Sequence, residues 1–387
     1  MKRLLGILFC WLAFPAFGAQ YRAALVANMD TGQVLYQENA NDANYPASLT
    51  KIMTIYLTFD ALEHGRLHLD DYLIVSQSAA NASPVKLGVA AGSKIKVEDA
   101  IKALTVMSAN DVARVLAENL KGGKEGNFAD LMTRVATEIG LSHTNFENSS
   151  GLPNDDHMST ARDIALMSMA VYKHFPQYWK YFGIKTWTYN GKTYTNGNRL
   201  LGTYPGCDGM KTGFTNKSRY SLVATARRND THLIAVVLGA ENKDVRAAVA
   251  TQLLDRGFAI NSGASAPVVR KTDVSPIQKT TNVKSPTPAA NPAPTFTAAY
   301  AAATSAPAAK YTAASSGTAG VQFGAFSSRD AATAQVARVK NALNANAVVE
   351  PAPNGMFRVR ENNMTETAAQ KLKSSASAAG IDSYIFH

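Results

Sequence analysis

The sequence predicts a mixed α/β (α+β) fold built on an antiparallel sheet, followed by a separate small βαββαβ domain. Strand-like segments occur near both ends of residues 20–262, with helical segments between them, so the sheet is completed late in the sequence. Short polar turns join neighbouring strands, which is typical of antiparallel pairing. Residues 318–387 then show a strand and helix alternation of their own.

The amino terminus is typical of a secretory signal. Met1–Ala19 has a short basic start, an apolar run from Leu4 to Phe17 and then small residues suited to cleavage. Because this run is short for a bilayer span, we expect residues 1–19 to be removed. The processed protein should then reside in the periplasm or cell envelope without a transmembrane segment. Removal leaves Cys207 as the sole cysteine, which excludes an internal disulfide.

The elements of residues 20–262 can be predicted in chain order. Arg22–Met29 and Gln33–Gln37 alternate around a turn, which predicts a hairpin. Ile52–Leu62 is apolar nearly all round and predicts a buried helix. Asp71–Phe182 is predicted to be mostly helical. The predicted remainder comprises strands at Tyr194–Leu201, Met210–Phe214, Tyr220–Arg227 and Leu233–Gly239, and a closing helix at Asp244–Phe258.

The segment leading into the buried helix holds a serine and a lysine three residues apart. At this spacing, Ser48 and Lys51 share one helix face. A serine hydroxyl becomes nucleophilic when a base takes its proton. Neutral lysine can be that base if its pKa falls by about 3 units from about 10.4. Burial and a second cation both lower a lysine pKa, although Ser-x-x-Lys alone is a weak signal.

Two further motifs follow, and the order of all three is informative. Ser108–Asn110 follows the predicted helical run Val97–Met107 at a helix–loop–helix junction. Lys211–Gly213 follows a turn-rich loop and precedes strand-like residues. Each triplet is weak alone. Ser-x-x-Lys, Ser-x-Asn and Lys-Thr-Gly in this order match the signature of penicillin-binding proteins and serine β-lactamases.

The residues around these motifs resemble the low-molecular-mass D-alanyl-D-alanine carboxypeptidases, serine peptidases that trim peptidoglycan stem peptides. The resemblance covers residues 21–260 and rests on Pro46–Thr54, Ser108–Ala113, Asn148–Pro153 and Asp208–Thr215. It implies the serine β-lactamase/penicillin-binding-protein-like fold, with a five-stranded antiparallel sheet flanked by helices and an all-helical region. It also implies removal of the terminal D-Ala from pentapeptide stems through an acyl-enzyme, reaction with β-lactams, and no cofactor.

The same resemblance implies a role for each candidate residue. Ser48 would be acylated, Lys51 would take its proton, and Ser108 would relay a proton to the leaving D-alanine. The implied substrate-binding residues are Asn110, Lys211, Thr212, Gly213, Phe214, Arg199 and Arg246. The oxyanion would face the backbone N–H groups of Ser48 and Phe214.

Three of the candidate side chains keep a second interpretation at this stage. Arg199 and Arg246 match arginines of relatives near the carboxylate pocket, or they form surface salt bridges. His157 lies in a loop that borders the cleft in relatives. It can also be a solvent-exposed loop histidine, because titration near neutral pH does not by itself indicate a functional histidine.

The composition changes sharply after residue 262. Residues 263–317 are rich in Ala, Pro, Thr and Ser with few large aliphatics, which predicts a flexible, disordered linker. Residues 318–387 begin with Val321–Phe326, a segment that resembles the sporulation-related repeat, a peptidoglycan-binding module. Glycan strands are therefore the expected partner, and a generic ferredoxin-like domain is the alternative. The further predicted elements are helices Arg329–Ala345 and Thr365–Ala379 and strands Ala347–Pro351, Met356–Arg360 and Ile381–Phe386.

The charge pattern argues against some partners. The net charge is +10, and residues 264–317, with five basic residues and one acidic residue, match the net +4 of residues 1–263. Because this charge is not a patch interleaved with aromatics, no nucleic acid is expected, and an anionic wall polymer or phospholipid surface fits better. His64 and His68 lack a third ligand and the His-Glu-x-x-His pattern, so no metal is expected.

Three alternative functions stay open from the sequence. A DD-endopeptidase acting on cross-links would use the same residues. A class A type β-lactamase would need a glutamate-bearing loop, and the surroundings of Glu147 do not resemble that motif. A wall-binding protein with a weak or vestigial penicillin-binding domain is opposed by the three intact triplets.

Overall fold

The main sheet of the protein has five antiparallel strands, in the spatial order β2 (Val34–Glu38), β1 (Ala23–Asn28), β9 (Thr231–Ala240), β8 (Arg219–Arg228) and β7 (Cys207–Thr215). The computed structural model describes residues 21–263, 296, 299–301, 319–326, 328–351, 357–364 and 366–386. Its strands are β1 Ala23–Asn28, β2 Val34–Glu38, β3 Tyr72–Ile74, β4 Lys94–Lys96, β5 Thr186–Tyr189, β6 Lys192–Thr195, β7 Cys207–Thr215, β8 Arg219–Arg228, β9 Thr231–Ala240, β10 Ala319–Phe326, β11 Val348–Pro351, β12 Phe357–Met364 and β13 Tyr384–Phe386.

The helices follow the same chain order. They are α1 Lys51–Glu63, α2 Gln77–Ala80, α3 Val97–Lys102, α4 Asn110–Leu120, α5 Glu125–Glu138, α6 Ala161–His174, α7 Lys243–Asn261, α8 Arg329–Leu343 and α9 Glu366–Ala378. Two 3₁₀ segments span Ala47–Thr50 and Pro176–Gly183, and a π-helical turn spans Ala103–Met107.

The middle parts of the central strands are mainly hydrophobic because both faces of the sheet are covered. Successive side chains of a strand point to opposite faces. In β1, Leu25 and Ala27 therefore join a core with α1, α4, α5 and α6, while Ala24 and Val26 join a second core under α7. The predicted α+β class, with a five-stranded antiparallel sheet completed late in the sequence, is confirmed.

Two features of this architecture position the motifs. Helix α1 is buried at every residue except Glu63, which confirms the prediction for Ile52–Leu62. Strand β7 is the edge of the sheet and packs beside the 3₁₀ segment Ala47–Thr50. Residues 211–213 of β7 therefore face the start of α1 across a cleft.

The predicted helical run Val97–Met107 is confirmed, as the α-helix α3 to Lys102 and a π-helical turn after it. Two local predictions differ from the structure. Asp71–Phe182 contains the antiparallel pair β3–β4, whose three-residue strands are too short to show a clear alternation in the sequence. Tyr194–Leu201 is a strand only as far as Thr195, and β6 pairs with β5 outside the main sheet.

The carboxy-terminal residues form a second sheet in the order β11-β12-β10-β13. Helices α8 and α9 contribute Val339 and Ala376 to a small core with Val321, Phe323 and Val359. The predicted βαββαβ order is confirmed, with element bounds shifted by up to four residues.

Two predicted segments lie wholly or mostly outside the described residues: the signal, residues 1–19, and the linker, residues 263–317. Phe296 and Ala299–Ala301 of the linker are described as helical, and Ala299 and Tyr300 are buried. This burial differs from the expectation of a disordered linker. No helix in the described part of the chain is long and apolar enough to cross a bilayer.

Candidate active site

The 3₁₀ segment before α1 presents Ser48 at the mouth of the cleft. Ala47 has a φ of 48°, in the left-handed region that alanine rarely adopts, so the backbone turns sharply before the serine. Lys51, the first residue of α1, is completely buried. Its Nζ lies 3.0 Å from Ser48 Oγ, so the structure brings this predicted pair together.

The other partners of Lys51 define which way its amine is directed. Lys51 Nζ donates to Asn110 Oδ1 at 2.8 Å and to the carbonyl oxygen of Ser150 at 2.7 Å. Both of these oxygens can only accept. A neutral amine has two N–H groups and one lone pair, so these two bonds leave the lone pair for the hydroxyl proton of Ser48.

Burial is the main cause that lowers the pKa of Lys51 well below its ordinary value, and the charge of Lys211 is the second cause. The more distant carboxylates of Glu125 and Asp111 oppose the shift. The site thus has the two features that the sequence argument requires of a lysine base, a dry environment and a nearby cation.

The loop that supplies the Ser150 carbonyl is built around Asn148. Its Oδ1 accepts from the backbone N–H groups of Ser150, Gly151 and Leu152, at 3.2, 2.7 and 3.1 Å. Gly151 has a φ of 84°, and a Cβ there would lie 1.8 Å from the carbonyl oxygen of Ala47. The loop backbone therefore lies directly against the nucleophile turn, which only glycine allows.

A second serine and lysine pair lies across the cleft. Ser108 ends the π-helical turn with a left-handed φ of 65°, and its Oγ lies 2.9 Å from Lys211 Nζ. Lys211 also donates to the Thr212 carbonyl oxygen at 2.9 Å. Burial, and then the charge of Arg246, lowers the pKa of Lys211 to about 7.

Residues Asn110 and Asp111 hold the loop before the second motif against the site. Asn110 Nδ2 donates to the Ser83 carbonyl oxygen at 3.3 Å, which fixes its Oδ1 toward Lys51. The Asp111 carboxylate accepts from the backbone N–H groups of Leu87 and Gly88 at 2.9 and 2.8 Å. The wall of the cleft at residues 83–88 is thus tied to the start of α4.

The edge of β7 carries the other predicted binding residues. Gly213 faces the nucleophile turn, because a Cβ there would lie 3.1 Å from the Pro46 carbonyl oxygen. Glycine at this position therefore also allows the strand to approach the turn, besides the implied room for substrate. The Phe214 ring is 48% exposed and packs on Tyr220 with ring centroids 4.3 Å apart.

The two candidate arginines occupy different environments. Arg199 lies at the surface with its Nη1 2.5 Å from Asp244 Oδ1, which is the surface salt bridge of the second interpretation. Arg246 is 4% exposed and donates to the Gly197 carbonyl oxygen at 3.2 Å. Burial, and then Arg199, lowers the pKa of Arg246 to about 10. Its charge acts on Lys211, whereas Arg199 is directed to solvent and Asp244.

The interpretation of His157 as a solvent-exposed residue is wrong, since only 2% of it is exposed. Its Nδ1 accepts from the Glu147 backbone N–H at 3.2 Å, so its Nε2 donates to Thr50 Oγ1, 2.7 Å away. Burial, with a smaller effect of Lys51, lowers the pKa of His157 to about 3. The ring is therefore a neutral support beneath the nucleophile turn.

Sequence reasoning missed Glu125, which supports the loop of residues 148–152. Glu125 accepts from Arg114 Nε at 2.6 Å and from Ser149 Oγ at 2.5 Å, and so connects α4, α5 and the loop. No local pattern distinguishes this glutamate. The loop itself could be recognised from the segment Asn148–Pro153, which is part of the family resemblance.

The fold and the two serine and lysine pairs define a serine peptidase of the penicillin-binding-protein class. The sequence matches the family Peptidase_S11, described as D-alanyl-D-alanine carboxypeptidase, over residues 15–242, and the SPOR domain over residues 315–386. The protein belongs to the D-alanyl-D-alanine carboxypeptidase family.

Curated relatives are similar to the chain over its first two thirds. The D-alanyl-D-alanine carboxypeptidase DacF of Bacillus subtilis is 34% identical over 279 residues, which are 67% of this chain and 71% of that protein. The D-alanyl-D-alanine carboxypeptidase DacC of Escherichia coli is 36% identical over 244 residues, 61% of each protein. The chain thus spans about three fifths of the Escherichia coli relative.

Solved structures agree with this assignment. Penicillin-binding protein 5 of Haemophilus influenzae is 32% identical with a TM-score of 0.60, and the match covers 62% of this chain and 71% of that one. Penicillin-binding protein D2 of Listeria monocytogenes, solved in an ampicillin-bound form, is 32% identical with a TM-score of 0.57. That match covers 62% of this chain and 97% of the Listeria protein.

Proposed function

We propose that the protein removes the carboxy-terminal D-alanine from peptidoglycan pentapeptide stems through an acyl-enzyme on Ser48, and that β-lactams acylate the same serine. The observation that carries the proposal is the buried Lys51 amine, 3.0 Å from Ser48 Oγ and bonded otherwise to two acceptors. The carboxypeptidase names of the relatives and the ampicillin complex of the Listeria protein support the same reaction.

Acylation uses the first serine and lysine pair. Ser48 Oγ attacks the carbonyl carbon of the penultimate D-Ala while its proton moves to Lys51 Nζ. The new ammonium group then has three acceptors within reach, which are Asn110 Oδ1, the Ser150 carbonyl oxygen and Ser48 Oγ. The backbone N–H groups of Ser48 and Phe214 are assigned to the oxyanion, where such donors contribute about 10²–10³ in rate each.

The second pair serves the leaving group and the substrate carboxylate. Ser108 relays the proton held by Lys51 to the nitrogen of the departing D-alanine, the peptide C–N bond breaks, and Lys51 is neutral again while the ester remains on Ser48. Lys211 is bonded to Ser108 Oγ and the Thr212 carbonyl oxygen, and its third N–H is directed to the terminal carboxylate together with the Thr212 hydroxyl. Water then hydrolyses the ester, with Lys51 again taking the proton.

The remaining residues fit an envelope protein. Residues 1–19 would direct the chain to the periplasm and then be removed. Residues 318–387, which match the SPOR domain over most of their length, would bind glycan strands of peptidoglycan. In this organisation the terminal domain keeps the peptidase close to its polymeric substrate, and residues 263–317 connect the two.

The test uses the processed full-length protein with muramyl pentapeptide and a fluorescent penicillin. The wild type should release D-alanine and retain the fluorescent label, and Ser48→Ala should lose both. Ser142→Ala, which changes an exposed serine away from the cleft, is the matched control. Wild-type release of D-alanine by Ser48→Ala would refute the proposal. Loss of cross-linked dimers in place of pentapeptides would instead identify an endopeptidase.

A further inference from the structure

Three described residues of the predicted linker, Phe296, Ala299 and Tyr300, pack against the peptidase region. Ala299 and Tyr300 are 1% and 8% exposed and belong to the same hydrophobic core as α1 and α6. Phe296 packs against that core, and its ring centroid lies 5.8 Å from the Arg162 guanidinium on α6. These contacts are unexpected in a segment dominated by Ala, Pro, Thr and Ser.

The tyrosine fits a recess at the β1–β2 turn. Its hydroxyl proton is shared between two acceptors, the carbonyl oxygens of Met29 and Asp30, which lie 2.9 and 2.7 Å from the hydroxyl oxygen. The ring lies over Gly32, where a Cβ would be only 2.3 Å from two ring carbons. Gly32 also has a φ of 71°, so the turn combines a left-handed glycine with the space that the ring occupies.

The chemistry of the recess is specific for a tyrosine. The two carbonyl oxygens can only accept, so they select a hydroxyl donor, and the apolar surroundings select a ring. Burial, with a smaller effect of Asp30, raises the pKa of Tyr300 to about 12, so the hydroxyl keeps its proton in any physiological buffer.

We propose that Phe296 and Ala299–Ala301 are an intramolecular anchor that docks on the β1–β2 turn and α6 and so divides the linker in two. Residues 302–318 are then the only connection between the anchor and β10. Seventeen residues span at most about 60 Å, whereas the 55 residues from 264 to 318 would span about 190 Å. The anchor therefore sets how far the SPOR domain can move from the peptidase, a property beyond the proposed reaction.

Hydrogen exchange of the processed full-length protein tests the anchor from both sides. Tyr300→Ala removes the ring, and Gly32→Asn fills the recess with a residue that tolerates positive φ. Tyr311→Ala, a tyrosine of the same linker outside the anchor, is the matched control. In the wild type and in Tyr311→Ala, the amides of residues 299–301 should exchange at least tenfold more slowly than a free peptide.

In Tyr300→Ala and Gly32→Asn the same amides should exchange within about twofold of the free-peptide rate. Acylation by fluorescent penicillin should be unchanged in all variants, which excludes general unfolding as the cause. Free-peptide exchange at residues 299–301 in the wild type would overturn the proposal. Equal protection in Tyr300→Ala and Tyr311→Ala would overturn it as well.

Discussion

The two serine and lysine pairs of the cleft have similar distances but different surroundings. Lys51 Nζ lies 3.0 Å from Ser48 Oγ, and Lys211 Nζ lies 2.9 Å from Ser108 Oγ. Lys51 has two further acceptors and is supported by a neutral histidine through Thr50. Lys211 has one further acceptor and lies within the field of the buried Arg246.

Because of this difference, the cleft can use one serine and lysine pair as nucleophile and base and the other to bind a carboxylate. In a buried amine whose two N–H groups are both bonded, only the lone pair remains, and it can accept the proton of one hydroxyl. This arrangement suits a base. An incompletely bonded amine at the sheet edge keeps an N–H for a ligand, which suits a carboxylate site. Lys211 also lowers the tendency of Lys51 to be charged, because like charges repel at short range.

Removing the base is expected to have the largest effect. Lys51→Met fills the buried position with an apolar side chain of similar length and should slow penicillin acylation about 10²–10⁴-fold, the usual contribution of a general base. The measurement is the second-order rate constant of fluorescent penicillin labelling. Lys243→Met, an exposed lysine on α7, is the control. Acylation of Lys51→Met within threefold of the wild type would contradict the assignment.

The pH dependence of acylation should separate the two lysines. The rate should rise with pH as Lys51 loses its proton, and fall as Lys211, with a pKa of about 7, loses the charge that attracts the carboxylate. Arg246→Gln removes a cation that lowers the Lys211 pKa, so the falling limb should move to higher pH. Stopped-flow acylation by benzylpenicillin from pH 5 to 10 measures both limbs. A falling limb that moves to lower pH would contradict this electrostatic account.

A smaller effect is expected on stability from His157. Its pKa is about 3 in the folded protein and about 6.5 in the unfolded chain, so the unfolded chain binds more protons between these values. Stability should therefore be lost as pH falls, by about 2 kcal/mol between pH 7 and 5. Urea unfolding at both values measures it, with His157→Gln losing this dependence and exposed His68→Gln keeping it. Equal pH slopes in the wild type and His157→Gln would refute the neutral buried histidine.

Part of the fold and of the site could be predicted from the sequence. Ser48 and Lys51 share a helix face, so their contact follows from spacing alone. The order of the three motifs and the late strands predicted the sheet and the cleft. The Ser150 carbonyl could not be predicted as a ligand of Lys51, because a backbone oxygen has no residue-type signal and depends on the loop conformation that Asn148 sets.

Other misses arise from contacts between residues that are far apart in the sequence. His157 follows the acidic loop residues Asp155 and Asp156, and it is buried against Thr50, which lies 107 residues earlier in the sequence. Tyr300 contacts a turn about 270 residues earlier in the chain, as its bond to Asp30 shows. Contacts at such separation are invisible to periodicity and composition, which report only on neighbouring residues.

The central claim is that the Lys51 amine is neutral at the pH at which the protein works. Lysine Cε chemical shifts of the selectively labelled full-length protein, assigned by loss of one resonance in Lys51→Met, follow its titration directly. We expect a midpoint well below the ordinary lysine value of about 10.4, on the acidic side of the acylation maximum. A Lys51 resonance that titrates at about 10.4 would contradict the account.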